Sequence, residues 1–197
     1  MKGGYDPGRI RRQLRTVWIE LMFRVIHKSL RANPLAAGPA PSRFSDPTGE
    51  YAVLYAAETV PCCLWEAVVR NRLTLTRRRE LPRADIEARI VVSRETREYL
   101  TLVDLRGDGP IQIGVSPAVA HDSNHASGRA LPAATLVHVP EADGFLFASR
   151  FTGHLCTAVF DRAIGKLRGL SVTPLIESAD FLEALDDYDI FLTTPSA

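Results

Sequence analysis

Arg24, Arg43, Tyr55 and Glu66 are the side chains of this 197-residue sequence whose types and settings could do chemistry. Arg24 interrupts an apolar run, with Leu21-Met22-Phe23 before it and Val25-Ile26 after it. A guanidinium in such a run must find a carboxylate, a phosphate or water, because a buried unpaired charge is very unfavourable. Arg43 stands in the proline-rich stretch Pro41-Ser42-Arg43-Phe44-Ser45, where a loop can aim it into a cleft. Tyr55 lies in a buried type of strand, and Glu66 follows Trp65 among Leu64, Ala67, Val68 and Val69. On residue type alone two readings stand about even: a functional site, or an internal Arg/Glu salt-bridge network tying strand, loop and helix together.

Other candidates have plainer readings. His121 and His125 have a spacing that could hold a metal on one helix face, but His121-Asp122-Ser123-Asn124-His125 reads as a polar loop, and no metal is expected. Cys63 has apolar neighbours at helical spacing and reads as a small buried hydrophobe. Arg77-Arg78-Arg79 is followed by Glu80, Asp85 and Glu87 without interleaved aromatics, which favours a solvated face over a nucleic-acid surface. The G-x-S-x-G elbow, the G-x-x-x-x-G-K loop and the H-E-x-x-H pair do not occur in the sequence.

The elements that must position these residues follow from pattern and punctuation. Glu20 to His27 and Tyr51 to Ala57 predict strands, separated from Asn33 to Gly49 by a loop holding Pro34, Pro39, Pro41 and Pro47. Glu58-Thr59-Val60-Pro61 supplies a cap and a first-turn proline for a helix running to about Asn71. Further strands are expected at 88–92, at Tyr99 to Leu105 and, briefly, at Ile111 to Ile113, followed by a loop and a short helix over Leu131 to His138. Gly144 to Ala148 and Cys156 to Phe160 suggest a hairpin, and the tail offers a strand at Leu170 to Leu175, a helix at Ser178 to Asp186 and an apolar piece at Tyr188 to Leu192. Strands outnumber helices without a βαβ rhythm, so the expected class is α+β, a mixed and mostly antiparallel β core with flanking helices. Residues 1–15 read as a flexible basic arm and 16–197 as one domain.

Composition narrows the function classes. The chain is 46% hydrophobic and 24% charged, with a net charge of +1, which gives no global field toward nucleic acid or a membrane. Three cysteines, two of them adjacent at Cys62 and Cys63, form neither a disulfide framework nor a metal spacing and point to a reducing cytoplasm. Neither a signal peptide nor a membrane span is expected.

The same residues resemble the RES domain, a bacterial family named for its arginine, glutamate and serine. Arg43 in Ser42-Arg43-Phe44-Ser45-Asp46-Pro47-Thr48-Gly49, Tyr55 in Leu54-Tyr55-Ala56-Ala57-Glu58-Thr59, and Glu66 match in order. Ser149, closing Gly144-Phe145-Leu146-Phe147-Ala148-Ser149, matches the serine, and Arg24 in Phe23-Arg24-Val25 matches an N-terminal arginine. The resemblance spans about residues 22 to 161, and the chain departs from the family pattern at Ser42, Ser45 and Val25.

This resemblance implies an ADP-ribosyltransferase-like fold and an enzyme that consumes NAD. It implies a toxin that cleaves the nicotinamide–ribose bond as a glycohydrolase or phosphorylase, or alternatively a protein ADP-ribosyltransferase. Arg24 and Arg43 would hold the dinucleotide, Tyr55 would shape the nicotinamide–ribose pocket, Glu66 would support bond cleavage, and Ser149 would hydrogen-bond the cofactor. NAD enters as substrate and no metal is implied. The implied partner is an Xre-type helix-turn-helix antitoxin, with a homodimer also considered. A third reading keeps the same residues as a non-catalytic structural network.

Overall fold

The computed structural model describes residues 5–38, 43, 44, 46, 49–69, 79–116 and 125–194, with 125–129 as backbone only. An eight-stranded sheet organises them. In chain order its strands are β1 (Leu14–Val17), β2 (Met22–His27), β3 (Val53–Ala57), β5 (Arg89–Thr96), β6 (Leu100–Asp104), β7 (Gly144–Ala148), β8 (Leu155–Phe160) and β9 (Leu167–Pro174). They lie in the order β1-β6-β7-β8-β3-β2-β5-β9, and β6 with β7 is the parallel pair among antiparallel neighbours. A separate parallel pair joins β4 (Arg79–Pro82) to β10 (Ile190–Thr193). The α+β, mostly antiparallel expectation therefore holds.

The described α-helices are α1 (Pro7–Arg12), α2 (Val60–Leu64), α3 (Arg83–Glu87), α4 (Gly109–Ile113), α5 (His125–His138) and α6 (Ala179–Asp187), with short 3-10 turns at Lys28–Leu30, Asp161–Lys166 and Leu175–Glu177. Strand alternation divides the core between the two sheet faces. Val53 and Ala57 of β3 and Cys156, Ala158 and Phe160 of β8 join the main cluster with Val60, Leu64, Phe145 and Phe181. Leu54, Ala56 and Val159 point the other way, into a second cluster with Met22, Leu100 and Leu146.

The sheet is loosest at its middle. β2 and β3 share one registered pair, Phe23 with Ala57, whereas β2 and β5 pair from Met22–Arg94 through His27–Arg89. The loop after β2 is also tied to β3, through a bridge from Gly38 to Val53. At the other side, β7 and β8 approach so closely that a Cβ on Gly144, which has φ +154°, would sit 2.1 Å from the Ala158 carbonyl oxygen. This position requires glycine.

Most predicted elements appear within a few residues of their expected bounds, with three corrections. Residues 5–15 are not a flexible arm: Asp6 caps α1, Ile10 is fully buried, and β1 pairs along β6. Ile111 to Ile113 is helical, because Pro110 sits in the first turn of α4 and Gly114, at φ +90°, ends it. Helix α5 begins at His125 rather than Leu131 and carries Pro132 in its interior. The end of the helix expected near Asn71 lies outside the described residues, as do Ser42, Ser45, Arg77, Arg78, His121 and Asp122.

Candidate functional site

Glu66 and Ser149 meet directly. Thr59 caps α2 by accepting from the Cys62 amide, and Pro61 fits the first turn, where its missing N–H is no loss. The helix then widens into a π turn over Trp65–Val69, a distortion frequent at functional sites. Glu66 lies in that turn. Ser149 follows the last residue of β7, and its hydroxyl donates to Glu66 Oε1 over 2.7 Å. The same hydroxyl accepts from the amides of Phe151 and Thr152, so the β7–β8 loop fixes the serine that fixes the carboxylate.

Tyr55 holds the arginine loop. Its phenolic oxygen accepts a 2.8 Å hydrogen bond from the Phe44 amide. The Phe44 ring is fully buried, stacked 4.9 Å from Phe145 and edge-on to Phe147 at 5.4 Å. The Phe44 ring and its backbone bond to Tyr55 thus anchor the proline-rich loop at this point, and Arg43 emerges beside that anchor with its guanidinium 5.9 Å from the Phe44 ring centre. Tyr55 also meets Phe147 edge-on at 6.5 Å, two residues before Ser149.

Trp65, the residue before Glu66, sits in an aromatic cluster. Trp65 stacks on Phe151 at 5.9 Å and meets Tyr188 edge-on at 5.4 Å, while the Arg79 guanidinium lies 5.6 Å from the Trp65 ring. The Trp65 indole N–H is buried without a hydrogen-bond partner.

Arg24 is placed differently. By alternation it shares a face of β2 with Met22 and Ile26, opposite Phe23 and Val25, which pack in the main cluster with Tyr55. Its guanidinium donates to the carbonyls of Pro34 and Ala36 at 3.0 Å each, and burial pulls it down to about 10. The structure therefore brings Glu66 to Ser149 and Tyr55 to the Arg43 loop, but it does not bring Arg24 against either pair. Nor do Arg24 and Glu66 form an ion pair among the described residues.

Two features escaped the sequence reading. Cys62 lies 3.6 Å from Cys156, sulfur to sulfur. The hydrogen bond from Cys156 pulls the Cys62 thiol down to about 7, and the same contact pushes Cys156 up. Cys63, by contrast, is pushed up to about 12 by burial, as a core thiol should be. The second feature is Arg94, fully buried in β5 with its Nη2 donating to Thr157 Oγ1 at 2.8 Å. Its position in Val91-Val92-Ser93-Arg94 was readable as an arginine continuing an apolar strand, the same signal that singled out Arg24.

No cluster of metal-ligating side chains occurs among the described residues, and no helix there is long and apolar enough to cross a membrane.

Comparison with known proteins places this arrangement. The RES domain family matches residues 20–177. A Sinorhizobium fredii protein named "Probable toxin y4kH" is 32% identical over 108 residues, covering 54% of this chain and 85% of that protein. The fold is similar to a chain in the crystal structure of the M. tuberculosis MbcT–MbcA toxin–antitoxin complex, with a TM-score of 0.64 at 15% identity, covering 89% of this chain and 96% of that one. The matched segment contains Arg24, Arg43, Tyr55, Glu66 and Ser149, and the chain belongs to the RES-domain family.

Proposed function

We propose that this chain is the toxin of a toxin–antitoxin pair and that it consumes NAD by breaking the nicotinamide–ribose bond. The observation that carries the reading is the Ser149–Glu66 contact, a carboxylate oriented by a buried hydroxyl and next in sequence to the aromatic cluster at Trp65. Ser149 engages Oε1 and leaves Oε2 for a substrate. When the glycosidic bond breaks, its electron pair leaves with nicotinamide and positive charge develops on the ribose. A carboxylate held in place stabilises that charge without reorganising. Arg43 would take the dinucleotide's phosphates, Tyr55 would fix the loop that carries it, and Trp65 with Phe151 would supply a stacking surface. Arg24, bonded to the Pro34 and Ala36 carbonyls on the other face of β2, would act on the dinucleotide only through the loop it ties down.

Water, phosphate or a protein nucleophile then bonds to the ribose carbon. Incubating the purified chain with NAD, with and without phosphate, separates the first two by product: ADP-ribose or its 1″-phosphate beside free nicotinamide. A labelled protein band in cell extract, with little free ADP-ribose, would indicate transfer to protein instead. Absence of nicotinamide release in all three settings would reject the reading. An antitoxin partner is supported by the toxin–antitoxin complex whose chain the fold resembles, and the family resemblance implies an Xre-type helix-turn-helix protein. Co-expression with the adjacent reading frame, scored by relief of growth arrest, tests it.

A further inference from the structure

Cys62 and Cys156 are nucleophilic groups that the candidate site does not use. Their sulfurs stand 3.6 Å apart, Cys62 on the first turn of α2 and Cys156 near the start of β8. The sheet sets this approach. Cys156 is registered with Ala57 of β3 on one side and Phe147 of β7 on the other, and β3 leads directly into α2 through Glu58 and Thr59. The Glu58 amide donates to the Leu155 carbonyl and the Thr59 hydroxyl accepts from the Cys62 amide, so the turn between the two sulfurs is fixed.

Two buried thiols in contact can be plain core, and Cys63 shows what that looks like in the same chain. Its sulfur donates to the Phe23 carbonyl, and burial pushes it up to about 12, which leaves no thiolate at neutral pH. Cys62 differs: the hydrogen bond from Cys156 holds it near 7, so the pair shares a proton and offers a thiolate beside a second sulfur. The position of the pair also matters. Glu66 follows Cys62 by four residues, one helical turn, and Ser149 opens the loop that enters β8, its amide donating to the carbonyl of His154 two residues before Cys156. Each half of the Ser149–Glu66 contact therefore rides on a segment that carries one of the sulfurs.

We propose that Cys62 and Cys156 are a reversible oxidation site, closed to a disulfide by a peroxide, and that closure disrupts the Ser149–Glu66 contact. The Cys62 thiolate attacks one peroxide oxygen, the O–O bond breaks, and the departing hydroxide takes up the proton that Cys62 released, leaving a sulfenic acid and water. The Cys156 sulfur then attacks the Cys62 sulfur, the S–S bond forms as the S–O bond breaks, and the second hydroxide leaves as water with the Cys156 proton. Two thiols lose two electrons and two hydrogens, and one peroxide becomes two waters. Cys62 is fully enclosed and Cys156 is 3% exposed, which restricts the oxidant to one as small as hydrogen peroxide. A disulfide holds its sulfurs about 2.05 Å apart, so α2 and β8 must draw together by roughly 1.5 Å. A displacement of that size at a reacting group is enough to cost about a hundredfold in rate. The effect on turnover rests on the NAD reading, whereas the bond and the loosened contact do not.

The test treats the reduced full chain with hydrogen peroxide and then with a dithiol, and follows three readouts: non-reducing peptide mapping, amide exchange at Phe151 and Thr152, and nicotinamide release. The expected link joins Cys62 to Cys156 and leaves Cys63 as a free thiol. The amides of Phe151 and Thr152, which donate to the Ser149 hydroxyl, should exchange faster in the oxidised chain. Nicotinamide release should fall about tenfold or more and return with the dithiol. Cys156→Ser should keep the release of the reduced wild type and lose its sensitivity to peroxide, while Cys63→Ser stays sensitive; should Cys156→Ser fail to fold, mapping and exchange on the wild type decide alone. Free Cys62 and Cys156 after peroxide treatment, a link to Cys63 instead, or a Cys62–Cys156 bond that leaves exchange at Phe151 and Thr152 unchanged would each overturn the proposal. Absence of nicotinamide release from the reduced chain would reject the NAD reading, and the mapping and exchange results would still decide the oxidation site.

Discussion

Ser149 at the end of β7 donates its hydroxyl proton to Glu66 in the π turn after α2, so the carboxylate's orientation is set by a strand 83 residues away in sequence. Glu66→Gln keeps an oxygen for Ser149 but removes the charge. Nicotinamide release should drop about a hundredfold or more, the scale of losing one preorganised electrostatic group, while the unfolding midpoint moves little. Ser149→Ala should lose less activity and about 1 kcal/mol of stability, read from urea unfolding.

Tyr55→Phe deletes the acceptor for the Phe44 amide and leaves the ring stack in place. The loop carrying Arg43 then loses one of the bonds that fix it beside β3. The expected result is a raised KM for NAD with a smaller change in kcat, together with a stability loss of about 1 kcal/mol. Equal KM values for the variant and wild type would separate Tyr55 from the loop's role.

Much of this site was legible in the sequence, for reasons that differ by residue. Glu66 and Arg24 stood out because a charge inside an apolar run is conspicuous, and Thr59 with Pro61 marked the helix that carries Glu66. What the pattern could not show is which face each residue takes across a sheet whose centre is barely paired, so Arg24 was grouped with Glu66 although they do not meet. The Cys62–Cys156 contact depends on β8 lying beside β3, a pairing between residues about a hundred positions apart. Ile111 to Ile113 misled because three residues alternate equally well in a strand and in one helical turn; Pro110 and Gly114 decided it. The basic stretch Arg9 to Arg15 looked mobile because its one core residue, Ile10, is hidden among charges.

Ile10→Ala tests that docking. Removing a fully buried isoleucine should cost about 2–5 kcal/mol if the N-terminal segment is an integral part of the fold. A change within about 0.5 kcal/mol would restore the mobile-arm description.

Gly144→Ala places a methyl group against the Ala158 carbonyl at a backbone angle that L-residues rarely adopt. Since backbone on the neighbouring strand cannot yield cheaply, the loss should exceed about 3 kcal/mol. The β7–β8 pairing that carries Ser149 should loosen first, seen as faster amide exchange at Phe145 and Phe147.

Cys63 gives the fold an alkaline signature. Its thiol is raised to about 12 by burial, above the ordinary thiol value near ~8.5, so the folded chain retains a proton that the unfolded chain releases. This contribution is complete below the unfolded pKa and is lost as pH rises toward 12. Between pH 8 and 10 the wild type should lose about 2 kcal/mol more stability than Cys63→Ala, as measured by urea unfolding at each pH.

The central claim is that Glu66, held by Ser149, supports cleavage of NAD at the nicotinamide–ribose bond. Chromatographic measurement of free nicotinamide from wild type and Glu66→Gln, side by side with matched folded fractions, tests it most directly. The account predicts steady release by the wild type and a loss of about a hundredfold or more in the variant. Equal release by both, or none by the wild type, would contradict it.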